Sequence, residues 1–396
     1  KGLSSYSGKI NTKNFKLGAF IGNDQIGDIG FNGTVKGDGF SWRNLSATLD
    51  GKVEKIGFNN YLYKNIIVKG EISKRLFNGH LVSKDENLNA SLDGLIDFRG
   101  KEPRFDFTAV VDQTNLKKLN FTKDDIDFNG SFRFNFTGDN IDNFLGTARI
   151  YEASVFKNGQ RLSFDSLTLE SKLIDNNKSI IVLSNQFDAA LVGEFSIQDL
   201  PSAFQTFLNR YYPSYIKPYT KKLRQQNFSF VVTTKIVDEY LDLWDKNFTG
   251  FNNSNLSGRI DTKNNLFDLD ADVPKFSYKS TSFYDVNVRG RGNRDTLSLT
   301  SKVGDVYLND SLHFPGTEIS IRSSNDLSEV NINTSANQTL NAATISGQVQ
   351  TLRNGVRILF NPSTFDINSK RWTIDKGGEL ILSKELVTTE GLRIYS

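Results

Sequence analysis

The chain has 396 residues, 48 Lys or Arg against 45 Asp or Glu, a net charge of +3, and neither Cys nor Met. The small net charge argues against a dedicated nucleic-acid surface, and 31 Phe with 13 Tyr exclude a disordered chain because so much aromatic surface must be buried. Without Cys the chain has no disulfide framework, thiolate metal site or cysteine nucleophile.

Alternation of apolar and polar residues predicts β-strands along most of the chain. Residues 88–98 are the clearest case, and residues 126–136 and 187–197 repeat the pattern. One apolar and one polar face is typical of an antiparallel sheet with a single solvated face. About 25 strands are predicted, and a sheet of that size is expected to curl or split.

Glycines recur in the middle of these strands on the apolar face, where Gly normally weakens a strand. They are Gly33, Gly51, Gly70, Gly94, Gly130, Gly193, Gly290 and Gly347. One interpretation is that they serve bulges and twist. The other is that the sheet curls tightly there and leaves an open apolar trough; the two are compatible.

The alternation is interrupted at residues 199–226, where apolar residues recur every three or four positions and predict a short amphipathic helical insertion. Its apolar face comprises Phe204, Phe207, Leu208, Tyr211 and Tyr215. Pro213 and Pro218 cannot lie inside a straight helix, so we expect two short helices, or one kinked helix, near 201–211 and 213–226.

This insertion divides the chain into a first β-segment, 1–198, the insertion itself, 199–226, and a second β-segment, 227–396, continuous with the first. Its basic end favours a helix laid over an open sheet edge or trough end. The alternative is contact with lipid headgroups or a partner. A further short helix is predicted at 236–246.

No residue pattern points to catalysis. His80 and His313 are far apart in sequence and lie in or near predicted strands, and the Gly-Arg-Gly at 290–292 lies within a strand and not in a phosphate loop. We therefore expect no enzyme activity, no catalytic residue, no metal site and no cofactor.

The absence of Met predicts an internal or processed segment of a longer protein. No run approaches the roughly 18 apolar residues of a membrane-spanning helix, so any membrane anchor is expected outside this segment.

Six stretches share a recognisable pattern: GFNNYLYKNIIVKG at 57–70, FNGHL at 77–81, DENL at 85–88, GLIDF at 94–98, LPSAFQTFLNRYYPSYI at 200–216, and FNPSTF at 360–365 running on to Trp372. Together they resemble the TamB (translocation and assembly module) branch of the AsmA-like family, in the form found in Bacteroidota. The resemblance spans most of the chain and carries no catalytic motif.

The resemblance implies a periplasmic protein, anchored in the inner membrane by a segment outside this chain and reaching toward the outer membrane. It implies an all-β fold in which an elongated curled sheet forms a U-shaped groove, or β-taco, lined with apolar side chains. Phospholipid acyl chains would be sheltered there in transit between the two membranes, in support of outer-membrane biogenesis. The implied protein partner is an Omp85-family outer-membrane barrel, contacted by another part of the protein, and nucleic acid is not implied.

We therefore predict a non-enzymatic lipid conduit. By alternation, its groove residues are Phe31, Leu49, Val68, Leu92, Ile96, Phe132, Phe134, Leu191, Phe195, Leu269, Val288 and Ile345. Two alternatives stay open: a scaffold or chaperone that assists outer-membrane protein assembly by β-augmentation, and a packed β-sandwich adhesin or structural protein.

Overall fold

The computed structural model describes residues 4–41, 43–157, 159–175, 177–241, 245–308, 313–335, 340–367, 370–383 and 386–396. Strands make up 67% of the structure and helices 5%, so the all-β fold class is confirmed. The chain divides into two compact units, Lys1–Lys172 with Ile181–Asn185, and Leu173–Ile180 with Gln186–Ser396. In each unit the paired strands are antiparallel, and the curled, unclosed antiparallel sheet is confirmed.

Unit 1 is an antiparallel meander in which each strand pairs with the next one along the chain. Its elements are β1 (Ser5–Phe15), α1 (Leu17–Ile21), β2 (Ile26–Asp38), β3 (Ser46–Phe58), β4 (Tyr61–Ser73), β5 (Leu76–Asp85), β6 (Leu88–Asp97), β7 (Arg104–Asn115), β8 (Ile126–Thr137), β9 (Leu145–Lys157) and, up to Lys172, β10 (Gln160–Ile174). Strand β11 (Asn177–Ser184) has residues in both units.

Unit 2 contains a second meander, which two helices interrupt within the described residues. Its elements are β12 (Phe187–Glu194), α2 (Leu200–Asn209), β13 (Asn227–Thr234), α3 (Asp238–Leu241), β14 (Phe248–Gly250), β15 (Asn255–Asp261), β16 (Leu266–Tyr278), β17 (Thr281–Gly292), β18 (Leu297–Tyr307), β19 (His313–Ser324), β20 (Leu327–Thr334) and β21 (Leu340–Leu352).

At β21 the sheet of unit 2 forks, because one half of β21 pairs with β22 (Gly355–Phe360) and the other half with β23 (Ser363–Ile367). The first branch continues through β25 (Glu379–Ser383) to β26 (Val387–Glu390). The second continues through β24 (Lys370–Ile374) to β27 (Ile394–Tyr395).

Helix α2 confirms the first part of the predicted helical insertion, but the second helix near 213–226 is wrong. Pro213 and Pro218 lack amide hydrogens, and only the single turn up to Ile216 is helix-like before the chain becomes irregular. Side chains of α2 satisfy that irregular backbone instead: Gln205 Nε2 donates to the carbonyl of Lys217 at 2.8 Å, and Asn209 donates to that of Ile216.

The helix predicted at 236–246 is shorter than expected. Helix α3 covers Asp238–Leu241, residues 242–244 lie outside the described residues, and residues 245–246 are not helical. Helix α1, which closes the end of β1, was not predicted. Among the described residues no helix has the length and apolar character needed to cross a membrane.

Candidate apolar groove

In unit 1 the strand register places the predicted groove residues on one face. Residues directly opposite one another in antiparallel strands share a face. One ladder of opposite residues runs through Gly51, Val68, Leu81, Leu92, Ala109 and Phe132. The next runs through Leu49, Gly70, Gly79, Gly94, Phe107 and Phe134, and a third includes Ile72, Phe77, Ile96, Phe105 and Phe136. Phe31 faces the same way, since it is opposite Val53.

This face encloses an apolar cleft of about 470 Å³ across β1 to β5. Its lining is apolar except for Thr12, and two of the lining residues, Phe31 and Val68, are buried. The lining residues are Ile10, Thr12, Phe15, Leu17, Ile29, Phe31, Val35, Leu49, Val53, Ile56, Ile66, Val68, Ile72, Phe77 and Leu81. An apolar cavity offers water no hydrogen-bond partners, so the cleft is suited to a hydrocarbon ligand.

Phenylalanine rings extend the apolar face beyond the cleft, on β7 and β8. The rings of Phe107 and Phe134 lie 5.2 Å apart, and those of Phe105 and Phe136 lie 4.9 Å apart. Phe134 also lies 5.6 Å from Phe132 and 5.7 Å from Phe136. The result is a continuous aromatic surface at spacings favourable for ring contacts.

The glycines of this face favour the tight-curl interpretation. A Cβ built on Gly33 would lie 2.7 Å from the Phe31 ring and 2.6 Å from the Cα of Gly51. Gly94 has a φ of +135° and a built Cβ would lie 2.6 Å from the Cα of Phe107. At these glycines, adjacent strands therefore approach more closely than a side chain would permit. Gly290 in unit 2 is less crowded, with its nearest neighbours being side chains at 3.2 and 3.3 Å.

Unit 2 repeats the arrangement. One ladder runs through Ala189, Val232, Leu256, Ala271, Val288, Ser301, Ile319, Ile332 and Ile345, and the next through Leu191, Phe230, Gly258, Leu269, Gly290 and Leu299. Leu191, Leu269, Val288 and Ile345 thus share one face. Phe195 lies just beyond β12, with its ring 5.7 Å from that of Phe228.

A second apolar cleft, of about 410 Å³, opens on this face. Ile345 is the only predicted groove residue in its lining, which comprises Phe283, Val306, Phe314, Thr317, Ile319, Ile332, Thr334, Ala343, Ile345 and Phe365. Sequence reasoning missed Phe283, Phe314 and Phe365 here, and Phe15 and Leu17 in unit 1. The alternation of Ile332 and Ile345 with polar neighbours indicates the face on which this second cleft opens. Leu17, by contrast, lies in α1, a helix that alternation does not predict.

Helix α2 packs its apolar residues unevenly. Phe207 lies 5.2 Å from the Phe267 ring and 5.1 Å from Tyr211, which has no exposed surface. Leu208 is half-buried. Phe204 and Tyr215 are 46% and 69% exposed, so the inward face of the segment is narrower than predicted.

Hydrogen bonds fasten the segment that follows α2 to the hairpin turns of unit 2. Tyr211 donates its hydroxyl to the carbonyl of Asn293, and its own carbonyl accepts from the amide of Asp326 at 2.7 Å. Ser214 donates its hydroxyl to Asp326 Oδ2 at 2.8 Å. Residues 199–226 therefore run along one rim of this unit, and we call them the strap.

A polar cluster lies at the start of β4 and the end of β5. The buried carboxylate of Asp85 accepts from the Tyr61 hydroxyl at 2.6 Å and from the Lys64 amide at 2.9 Å. Beside it, burial raises the pKa of Tyr63 to about 12, with smaller contributions from Tyr61 and Asp85. Its phenol therefore stays neutral throughout the physiological range.

The opposite face of the sheet is charged. Arg291 pairs with Asp270 at 2.9 Å and Lys302 with Glu318 at 2.9 Å, all on the solvated face. His80 pairs with Asp93 at 3.2 Å. Within the described ranges, no group of three or more His, Cys, Asp or Glu residues is placed to hold a metal ion.

The chain was compared with protein-family models, with curated proteins and with solved structures, and no match was found in any of the three.

Proposed function

We propose that this chain is a segment of a TamB-type, AsmA-like periplasmic protein that shelters phospholipid acyl chains in transit between the inner and outer membranes. The observation that carries the proposal is the pair of open clefts, one in each unit, with linings that are almost wholly apolar. Moving each methylene of an acyl chain from water onto such a surface is favourable by about 0.8 kcal/mol. The segment needs no catalytic group for this role and would guide lipid passively.

The two-sided chemistry of the sheet supports the proposal. The outer face carries exposed ion pairs such as Arg291–Asp270, which keep the protein in solution, while the inner face offers Phe, Val, Ile and Leu. A packed β-sandwich is disfavoured, because the side chains of two facing sheets would fill the space that the clefts leave open. The Omp85-family barrel stays the proposed protein partner, contacted by another part of the protein.

Native mass spectrometry of the chain after secretion into a Gram-negative periplasm tests the proposal. We expect copurifying phospholipid on the unaltered chain and much less on Leu49→Gln and Ile345→Gln, which place an amide in each cleft. Ile67→Gln is the matched control, since Ile67 is 46% exposed on the outer face. Equal lipid on all four proteins would contradict the proposal, and bound peptide in place of lipid would favour the scaffold alternative.

A further inference from the structure

Positive charge is concentrated on the strap. Residues 199–226 contain five cations, Arg210, Lys217, Lys221, Lys222 and Arg224, and one anion, Asp199. The strap therefore carries a net charge of +4, whereas the whole chain carries only +3. Such a local excess attracts anions to this rim of unit 2.

A small pocket of about 140 Å³ lies beside two of these cations, between α2, the end of the strap and the turn that joins β15 to β16. Its lining combines the hydrogen-bond donors Thr206, Arg210, Arg224 and Thr262 with the apolar groups Phe207 and Leu223. The two arginines reach it from separate parts of the strap. Arginine is well suited to phosphate, because its planar guanidinium donates in a fork that matches two phosphate oxygens.

The two arginines are held differently. Arg224 is oriented by Asp199, whose Oδ2 accepts from its Nε at 2.8 Å. That hydrogen bond also keeps the pKa of the Asp199 carboxyl below its usual range. The guanidinium of Arg210 makes no hydrogen bond or ion pair with any described residue and is exposed, so its charge is available to a ligand.

Phe207 connects the pocket to the apolar face of the sheet. Its ring lines the pocket and also packs 5.2 Å from Phe267, which shares a face with Leu269. An anion beside Arg210 would therefore be adjacent to an apolar surface. From this juxtaposition we propose that the pocket binds the phosphate group of an anionic amphiphile, chiefly through Arg210, while the hydrocarbon part follows Phe207 inward.

Only the hydrocarbon part of the proposed ligand rests on the proposed function. The anion site is argued independently, from Arg210, Arg224 and the pocket that they line. Isothermal titration of the whole chain would use three probes: dihexanoyl-phosphatidylglycerol below its micelle-forming concentration, inorganic phosphate, and uncharged dihexanoylglycerol. We expect the phospholipid to bind more tightly than either of the other two. Arg210→Gln should weaken its binding about tenfold, and Arg210→Lys less, since lysine keeps the charge without the fork.

Arg322→Gln is the matched control, because Arg322 is exposed on the outer face of β19 in the same unit. Equal phospholipid affinity for Arg210→Gln and Arg322→Gln would overturn the proposal. Phosphate that binds as tightly as the phospholipid would overturn the amphiphile assignment and identify a free-anion pocket. Dihexanoylglycerol has acyl chains but no phosphate, so its binding should not depend on Arg210. Its binding therefore tests the proposed function separately from the anion site.

Discussion

Gly70 of β4 lies directly opposite Gly79 of β5, and a Cβ built on Gly79 would lie only 2.5 Å from the Cα of Gly70. Gly94 of β6 is in turn opposite Gly79, so three successive strands present glycine at the same level. Any side chain there would push neighbouring strands apart. We therefore expect the curvature that opens the apolar face to depend on these glycines.

Replacement of Gly79 by Ala tests this dependence. The added methyl group would collide with the backbone of β4, so we expect a loss of about 1–3 kcal/mol in the free energy of unfolding. Gly8→Ala in β1 is the control, because no neighbouring atom lies within 4 Å of the built Cβ. Urea denaturation measures both, and equal stability of the two variants would show that the glycines serve another purpose.

Tyr211 should hold the strap in place. Tyr211→Phe removes the hydrogen bond to the carbonyl of Asn293, and we expect about 1 kcal/mol of local stability to be lost. Amide exchange at Asp326, which donates to the Tyr211 carbonyl, should then accelerate about fivefold. Tyr215→Phe, at a side chain that is 69% exposed, should leave that rate unchanged. An unaltered rate in Tyr211→Phe would mean that the strap is fastened elsewhere.

The elevated pKa of Tyr63 predicts a specific loss of stability in alkali. The pKa is about 12 in the folded chain against about 10 for an unfolded tyrosine, so the folded state disfavours ionisation. The associated stability is complete below about pH 10 and falls by about 2 kcal/mol as the pH rises through about 12. Urea denaturation at several alkaline pH values should show this fall in the unaltered chain and a smaller one in Tyr63→Phe. Parallel curves for the two proteins would refute the assignment.

Alternation was enough to group the predicted groove residues of the paired strands on one face in each unit, although a register shift reverses the parity within β3, where Val53 and Ile56 both line the cleft. Between Gly30 and Phe31 the pairing with β3 slips by one residue, yet Phe31 and Leu49 still share a face. Because hairpin turns join successive strands directly, neighbouring strands stay close to one register. Local periodicity was therefore sufficient to predict which face the groove residues share.

Features that depend on distant contacts could not be predicted. Arg210 and Thr262 line one pocket although they are far apart in sequence, and only the path of the strap brings them together. The fork at β21 likewise depends on which later strands pair with its two halves. No periodicity in the sequence encodes either arrangement.

Photocrosslinking at two phenylalanines tests the central claim most directly. p-Benzoylphenylalanine would replace Phe134, which faces the apolar side within a cluster of rings, or Phe156, which is 46% exposed and opposite Asp127 on the outer face. After irradiation in a Gram-negative periplasm, mass spectrometry should find phospholipid adducts at position 134 and far fewer at position 156. Equal lipid labelling at the two positions, or none at position 134, would contradict the account of an acyl-chain groove.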